Sequence, residues 1–156
     1  MFALEYEMTF RERIEGPLGP TTGSPARLVW TIADASLDGP RIHATLAIAG
    51  TDWIRVGSDG VRRQDQRAQF VTDDGAVILL RYDTGLIRGD GAFLDALRRG
   101  AETRPDDQYM FMVPQFEVGS DRYDWLTRSL FIAQGRLAGE RLIEYDVHRV
   151  TRGQPA

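Results

Sequence analysis

The residues best suited to chemistry lie on Val61–Thr72, a segment whose side chains sort by period two. One face carries Val61, Arg63, Asp65, Arg67, Gln69 and Val71; the other carries Arg62, Gln64, Gln66, Ala68, Phe70 and Thr72. Neither face is cleanly apolar. In a closed sheet one of them must point inward, and an unpaired charge there would be very unfavourable. Asp65 and Arg67 stand two apart on one face. They fit an inward pair that satisfies itself or clamps a substrate carboxylate or carbonyl, and equally an exposed ion pair on an edge strand.

Two further stretches mix aromatic and polar groups. Over Tyr123–Gln134, read as a strand, Tyr123, Trp125, Thr127, Ser129, Phe131 and Ala133 share a face. Aromatic bodies with small hydroxyls suit a pocket for an aromatic or polyketide-like ligand, or a core whose hydroxyls bond the backbone. Over Tyr109–Val118, Tyr109, Phe111, Val113, Gln115 and Glu117 share a face, with Pro114 requiring a bulge or an edge. Glu117 is either a general base or a solvated carboxylate. Tyr82 closes the apolar segment Ala76–Tyr82, and Trp53 opens the short segment Trp53–Val56.

Other chemistries find no support. There is no cysteine and no lysine, which removes thiolate nucleophiles, Schiff bases and a phosphate-binding lysine. His43 and His148 have no metal-ligand spacing, and Asp73-Asp74-Gly75 lacks the further carboxylates of a calcium loop. Gly57-Ser58-Asp59-Gly60 is not a nucleophile elbow, and no helix follows the glycine-rich Gly16–Gly23 loop to hold a phosphate. No metal and no cofactor are expected.

These groups need a frame, and period two supplies it. Phe2–Phe10 alternates, Gly16–Pro25 breaks the pattern, and Leu28-Trp30-Ile32 and Ile42-Ala44-Leu46-Ile48 resume it around Asp38-Gly39-Pro40. Turns at Asp73-Asp74-Gly75 and Asp83-Thr84-Gly85 flank one strand, as in a meander of antiparallel hairpins. A single helix is expected: Asp90 caps it, Phe93, Leu94 and Leu97 form its stripe, Arg98 and Arg99 suit its last turn, and Gly100 stops it. Strands resume to Leu142–Val150. The fold class is all-β with one short helix, an antiparallel meander closed into one barrel of roughly eight to ten strands, because open edges invite aggregation. Residues 1–150 form that domain and 151–156 a flexible tail.

The 156 residues argue for one domain with a core that needs no staples. All 19 basic residues are arginine, scattered along a chain of net charge −4, so no nucleic-acid footprint is visible. No basic, apolar leader begins the chain, and the longest aliphatic run, Ala76–Leu80, is far too short for a membrane span. A cytoplasmic protein without membrane or nucleic-acid partners is expected.

The ordered series Asp52-Trp53, Asp59-Gly60, Asp65-x-Arg67, Thr72-Asp73-Asp74-Gly75-Ala76, Pro114-x-Phe116-Glu117-x-Gly119 and Tyr123-x-Trp125-Leu126 resembles one bacterial and fungal family. It is catalogued as domain of unknown function 3237, and the likeness runs over almost the whole chain. The resemblance implies a compact β-barrel that assembles into oligomers, with no settled activity. The chain departs from the family pattern at Phe111, Thr127 and Ala133, where arginine, asparagine and often glycine are expected. Those changes make the suspected cavity more apolar.

The resulting expectation is a cofactor-independent enzyme with a small-molecule pocket in the barrel. It would isomerise, cyclise, hydrate or eliminate on an aromatic or polyketide-like compound by acid–base catalysis. Asp65 or Glu117 would be the base, Arg67 would hold oxyanion charge and Tyr109 would donate a proton. Trp53, Tyr82, Phe111, Tyr123, Trp125 and Thr127 would contact the substrate. The alternative is a non-catalytic barrel that binds a ligand or assembles with itself. Either way a homodimer or higher homo-oligomer is expected.

Overall fold

The structure, a computed structural model, describes residues 1–18 and 26–153. Nine strands and one helix follow the order β1 (Phe2–Leu18), β2 (Ala26–Gly39), β3 (Ile42–Val56), β4 (Arg62–Thr72), β5 (Val77–Arg88), α1 (Gly91–Arg99), β6 (Tyr109–Met112), β7 (Gln115–Val118), β8 (Phe131–Gly139) and β9 (Leu142–Arg152). Every pairing is antiparallel. The ladder runs β4-β3-β2-β1-β9-β8-β6-β5 and closes through β4–β5, giving an eight-stranded barrel with β7 as an extra strand on β5. Closure removes the free edges that so long a meander would otherwise leave.

Alternation sets which face is inside, and bulges reset it. In β1 the register slips between Tyr6 and Met8, and beyond it Met8, Phe10, Glu12 and Ile14 all point inward. In β3 two slips between Leu46 and Thr51 leave Ile48 outside and turn Asp52 and Ile54 in. The two segments read separately from sequence, Ile42–Ile48 and Trp53–Val56, are therefore one bulged strand. Asp83-Thr84-Gly85 is likewise a bulge within β5 rather than a turn, since the β4–β5 register shifts there and the strand continues to Arg88.

Three other expectations change. Pro114 splits Tyr109–Val118 into β6 and β7, because proline cannot donate to the ladder. Tyr123–Gln134 is not one strand: Asp121–Leu126 coils into a 3-10 turn closed by Tyr123 N–H to Ser120 O at 3.0 Å, and β8 begins only at Phe131. β9 extends through Arg152, taking in two residues expected in the tail, while 154–156 and most of the glycine-rich loop, 19–25, lie outside the described residues. The helix forms as its sequence dictates. Asp90 Oδ1 accepts from the backbone of Ala92 and Phe93, and Gly100 closes the end at φ 65°.

The barrel interior has two parts. Towards the Thr72 end it is hydrocarbon, with Phe10 edge-on to Phe70 and Phe116 edge-on to Phe131. Towards the other end a band of polar side chains crosses the lumen, and α1 covers the mouth with Phe93 and Leu97.

Candidate functional site

The polar band is built from inward positions on five strands. β1 supplies Glu12, β3 Asp52, β4 Gln64 and Gln66, β5 Tyr82 and β9 Tyr145, and all are buried. Their hydrogen bonds form a directed chain. Gln66 Nε2 donates to Glu12 Oε2 at 2.7 Å, and the Tyr82 hydroxyl donates to Gln66 Oε1. Gln64 Nε2 donates to Asp52 Oδ2 at 2.8 Å and reaches the Tyr82 oxygen at 3.5 Å, while Tyr145 donates to Gln64 Oε1 at 3.4 Å. Each carboxyl thus has one oxygen engaged. Glu12 Oε1 and Asp52 Oδ1 have no protein partner among the described residues.

Two glycines make room for these groups. A Cβ at Gly85 would stand 2.7 Å from Gln64 Oε1 and 3.0 Å from the Tyr82 ring. At Gly135 it would stand 2.5 Å from the Tyr145 ring. No larger residue fits either position without displacing the band.

Burial governs the charge state. Desolvation pushes the Glu12 carboxyl up to about 8, with the nearby Asp52 adding to the rise and the Gln66 hydrogen bond opposing it. Asp52 is pushed up to about 7 by the same desolvation, against the Gln64 hydrogen bond. Tyr82 and Tyr145 are held well above the usual phenol value by burial and remain neutral donors. At neutral pH both carboxyls are therefore drawn towards their protonated, neutral forms.

Asp52 and Gln64 also line a cavity of about 100 Å³ between the band and α1. The rest of its wall is mainly apolar, including Trp30, Ile54, Ile87, Phe93 and Leu97, with Arg62 at the rim. The arrangement can protonate or deprotonate a small molecule held against Asp52 and donate hydrogen bonds to it.

The residues singled out from sequence lie mostly elsewhere. Asp65 and Arg67 do not face the lumen: their side chains are 48% and 73% exposed, and Asp65 Oδ1 lies 3.9 Å from Arg67 Nε in a loose surface pair. The inward face of β4 is the other one, because Ala68 and Phe70 must join the hydrocarbon core and Gln64 and Gln66 share their phase. Tyr109 is exposed beneath the Arg88 guanidinium, and half-buried Phe111 packs on it at 4.7 Å. Glu117 lines an outer groove with Arg67. Trp53 is exposed, and Trp125 is half-buried under Arg41. Tyr123 is buried but donates to Asp74 Oδ1 at 2.9 Å, and exposed Thr127 only caps Asp124 O. Tyr82 alone of these joins the polar band.

Glu12, Asp52, Gln64, Gln66 and Tyr145 lay in view as polar intrusions into apolar alternations. Met8-Phe10-Glu12-Ile14 continues the β1 pattern through a carboxylate, and Asp52 keeps the phase of Ile54. Their signal was the phase of their neighbours rather than any motif.

The sequence pattern of the family described as Protein of unknown function (DUF3237) matches residues 2–150. The chain belongs to that family. A UPF0311 protein from Bradyrhizobium diazoefficiens is 30% identical over 129 residues, 83% of either chain. A crystal structure of a conserved protein of unknown function from Rhodopseudomonas palustris superimposes with a TM-score of 0.85 at 26% identity, covering 96% of this chain and 98% of that one. An enzyme from Penicillium herquei shares the fold at a TM-score of 0.66 and 18% identity, covering 96% and 94%.

Among the described residues no three His, Cys, Asp or Glu side chains gather as a metal site would need, and no helix is long and apolar enough to cross a membrane.

Proposed function

We propose that this barrel is a cofactor-independent acid–base enzyme that moves a proton on a compact small molecule bound between α1 and the polar band. One observation carries the reading: Asp52 is a buried carboxyl with a free Oδ1 at the wall of a mainly apolar cavity. Gln64 holds Oδ2, so the chemistry falls to the other oxygen. With its carboxyl near 7, Asp52 exchanges protons with carbon or oxygen acids in either direction near neutrality. Isomerisation, cyclisation and elimination need little beyond such a group and a dry site, and hydration needs one admitted water as well. A cavity of about 100 Å³ is smaller than the roughly 150 Å³ that holds benzene, so a ring-sized substrate requires α1 to move outward. The fold shared with the Penicillium herquei enzyme is compatible with catalysis in such a barrel.

The test is exchange of α-protons for solvent deuterium on a neutral ketone such as cyclopentanone. Acceleration by the protein, reduced by about 10²–10⁴-fold in Asp52→Asn, supports the assignment. An equal rate in wild type and variant removes Asp52 from the chemistry.

A second reading, self-association, rests on the outer face of β3–β5. Ile48, Gln69, Leu79 and Glu117 form one cross-strand row and Thr51, Arg67 and Arg81 the next, around a groove of about 320 Å³. Ile48 and Leu79 are exposed there, and a patch carrying both charge signs can complement itself about a twofold axis. Sedimentation of wild type and Ile48→Glu tests it: a dimer that dissociates in the variant supports the reading, and a monomeric wild type ends it.

A further inference from the structure

The inner face of β4 has one member that the acid–base reading leaves unused. Arg62, Gln64 and Gln66 succeed one another along it, from the rim to the middle of the lumen. Arg62 is half-buried and lines the same cavity as Asp52 and Gln64. Among the described residues its guanidinium has neither an ion-pair nor a hydrogen-bond partner, although ten of the chain's eighteen other arginines lie beside carboxylates. A partly desolvated guanidinium with five donors and no acceptor is costly unless something supplies the acceptor. Among the described residues, the only other charge-bearing side chain lining the cavity is Asp52, which lies far down the wall. Asp52 pairs in register with Gln66, four residues from Arg62, so their backbones are separated by roughly 13 Å along the strands.

We propose that the ligand of this site is a small organic anion, its carboxylate held by Arg62 at the mouth and its apolar body lying along the Trp30–Ile54–Leu97 wall with the reacting end at Asp52. This rests on the acid–base reading and assigns its substrate class. A planar carboxylate matches the guanidinium fork, which orients as well as holds. The mainly apolar wall selects a body without further charges. The carboxylate binds at the rim, where water is still near, and the end to be protonated or deprotonated lies deeper, where it is scarce. The ligand thereby keeps its charge beside water and its apolar body inside, and only an acid of short length fits between Arg62 and Asp52.

The probes are crotonate and its neutral isostere crotonamide, titrated into the full chain while the Trp30 indole resonance is followed. Crotonate is expected to bind at least about tenfold more tightly than crotonamide and to shift that resonance. Arg62→Gln removes the preference, and Arg62→Lys keeps part of it. Equal affinity for the two probes, a preference surviving in Arg62→Gln, or no response at Trp30 to either probe overturns the assignment. The cyclopentanone exchange test carries no anion, so Asp52 chemistry stands or falls there independently of Arg62.

Discussion

Glu12 and Asp52 turn an interior position into a pH dependence of stability. Their ordinary values are 4.5 and 3.8, and burial raises them to about 8 and about 7. Between those limits the folded state binds protons that the unfolded state has released, so stability falls with rising pH. The contribution is fully present below about pH 4 and lost as pH rises through about 7 and 8. Chemical denaturation from about pH 5 to 9 is expected to show a decline on the order of a few kcal/mol. Glu12→Gln and Asp52→Asn should each flatten it, because an amide has no proton to lose. An unchanged slope in both variants would mean that neither carboxyl is buried neutral. At this scale the sequence was ambiguous for a physical reason. β4 has two mixed faces, and an Asp–Arg pair looks more like chemistry than two glutamines do. The deciding information was the company each face keeps: Ala68 and Phe70 stand in phase with Gln64 and Gln66, and Val61 and Val71 do not outweigh them.

At the scale of elements, the band depends on strands that bend and on the space left by missing side chains. Gly85→Ala drives a methyl against Gln64 and the Tyr82 ring, and overpacking of this kind costs about 1–3 kcal/mol. A lowered melting temperature with the loss of Asp52-dependent proton exchange is the expected result; a fully stable, fully active variant would show that the close approach is unimportant. The 3-10 turn Asp121–Leu126 is tied to the β4–β5 hairpin by Asp74, which accepts from Thr72, Tyr123 and Arg122. Those partners hold the Asp74 carboxyl below its usual range. Tyr123→Phe removes one hydrogen bond to an ionised carboxylate and should cost about 1.5–3 kcal/mol by denaturant unfolding, without affecting proton exchange at the far end of the barrel. The helix and the antiparallel strands were legible because caps and alternation are local. The bulges in β1, β3 and β5 were not, since a slip of register is decided by what lies on the neighbouring strand. Tyr123, Trp125 and Thr127 alternate as a strand would, yet it is Tyr123 and Leu126, three apart, that are buried, and the local turn wins.

For the whole molecule, closure of eight strands fixes a lumen whose far end is filled with hydrocarbon and whose near end is covered by one short helix. The cover is anchored mainly by Phe93 and Ala96, and it lies between Gly89 and Gly100. Asp90→Ala withdraws the acceptor of two backbone N–H groups and should weaken α1 by about 1 kcal/mol. Faster hydrogen exchange confined to residues 91–99, together with faster uptake of crotonate, is the expected outcome. Exchange spreading through β4 and β5 would instead mean that the helix holds the barrel together. The barrel class followed from the number of strands and the need to hide their edges, and both are visible in one sequence. The site did not, because its members come from five strands far apart in the chain and meet only when the barrel closes.

The acid–base reading depends on Asp52 and Glu12 holding protons near neutrality inside the barrel. Carbon-13 NMR titration of the side-chain carboxyls in the intact chain reads this directly, with Asp52→Asn and Glu12→Gln assigning the two resonances. Midpoints of about 7 for Asp52 and about 8 for Glu12 are expected. Midpoints near 4 for both would show carboxylates ionised throughout the neutral range, and would contradict the acid–base site.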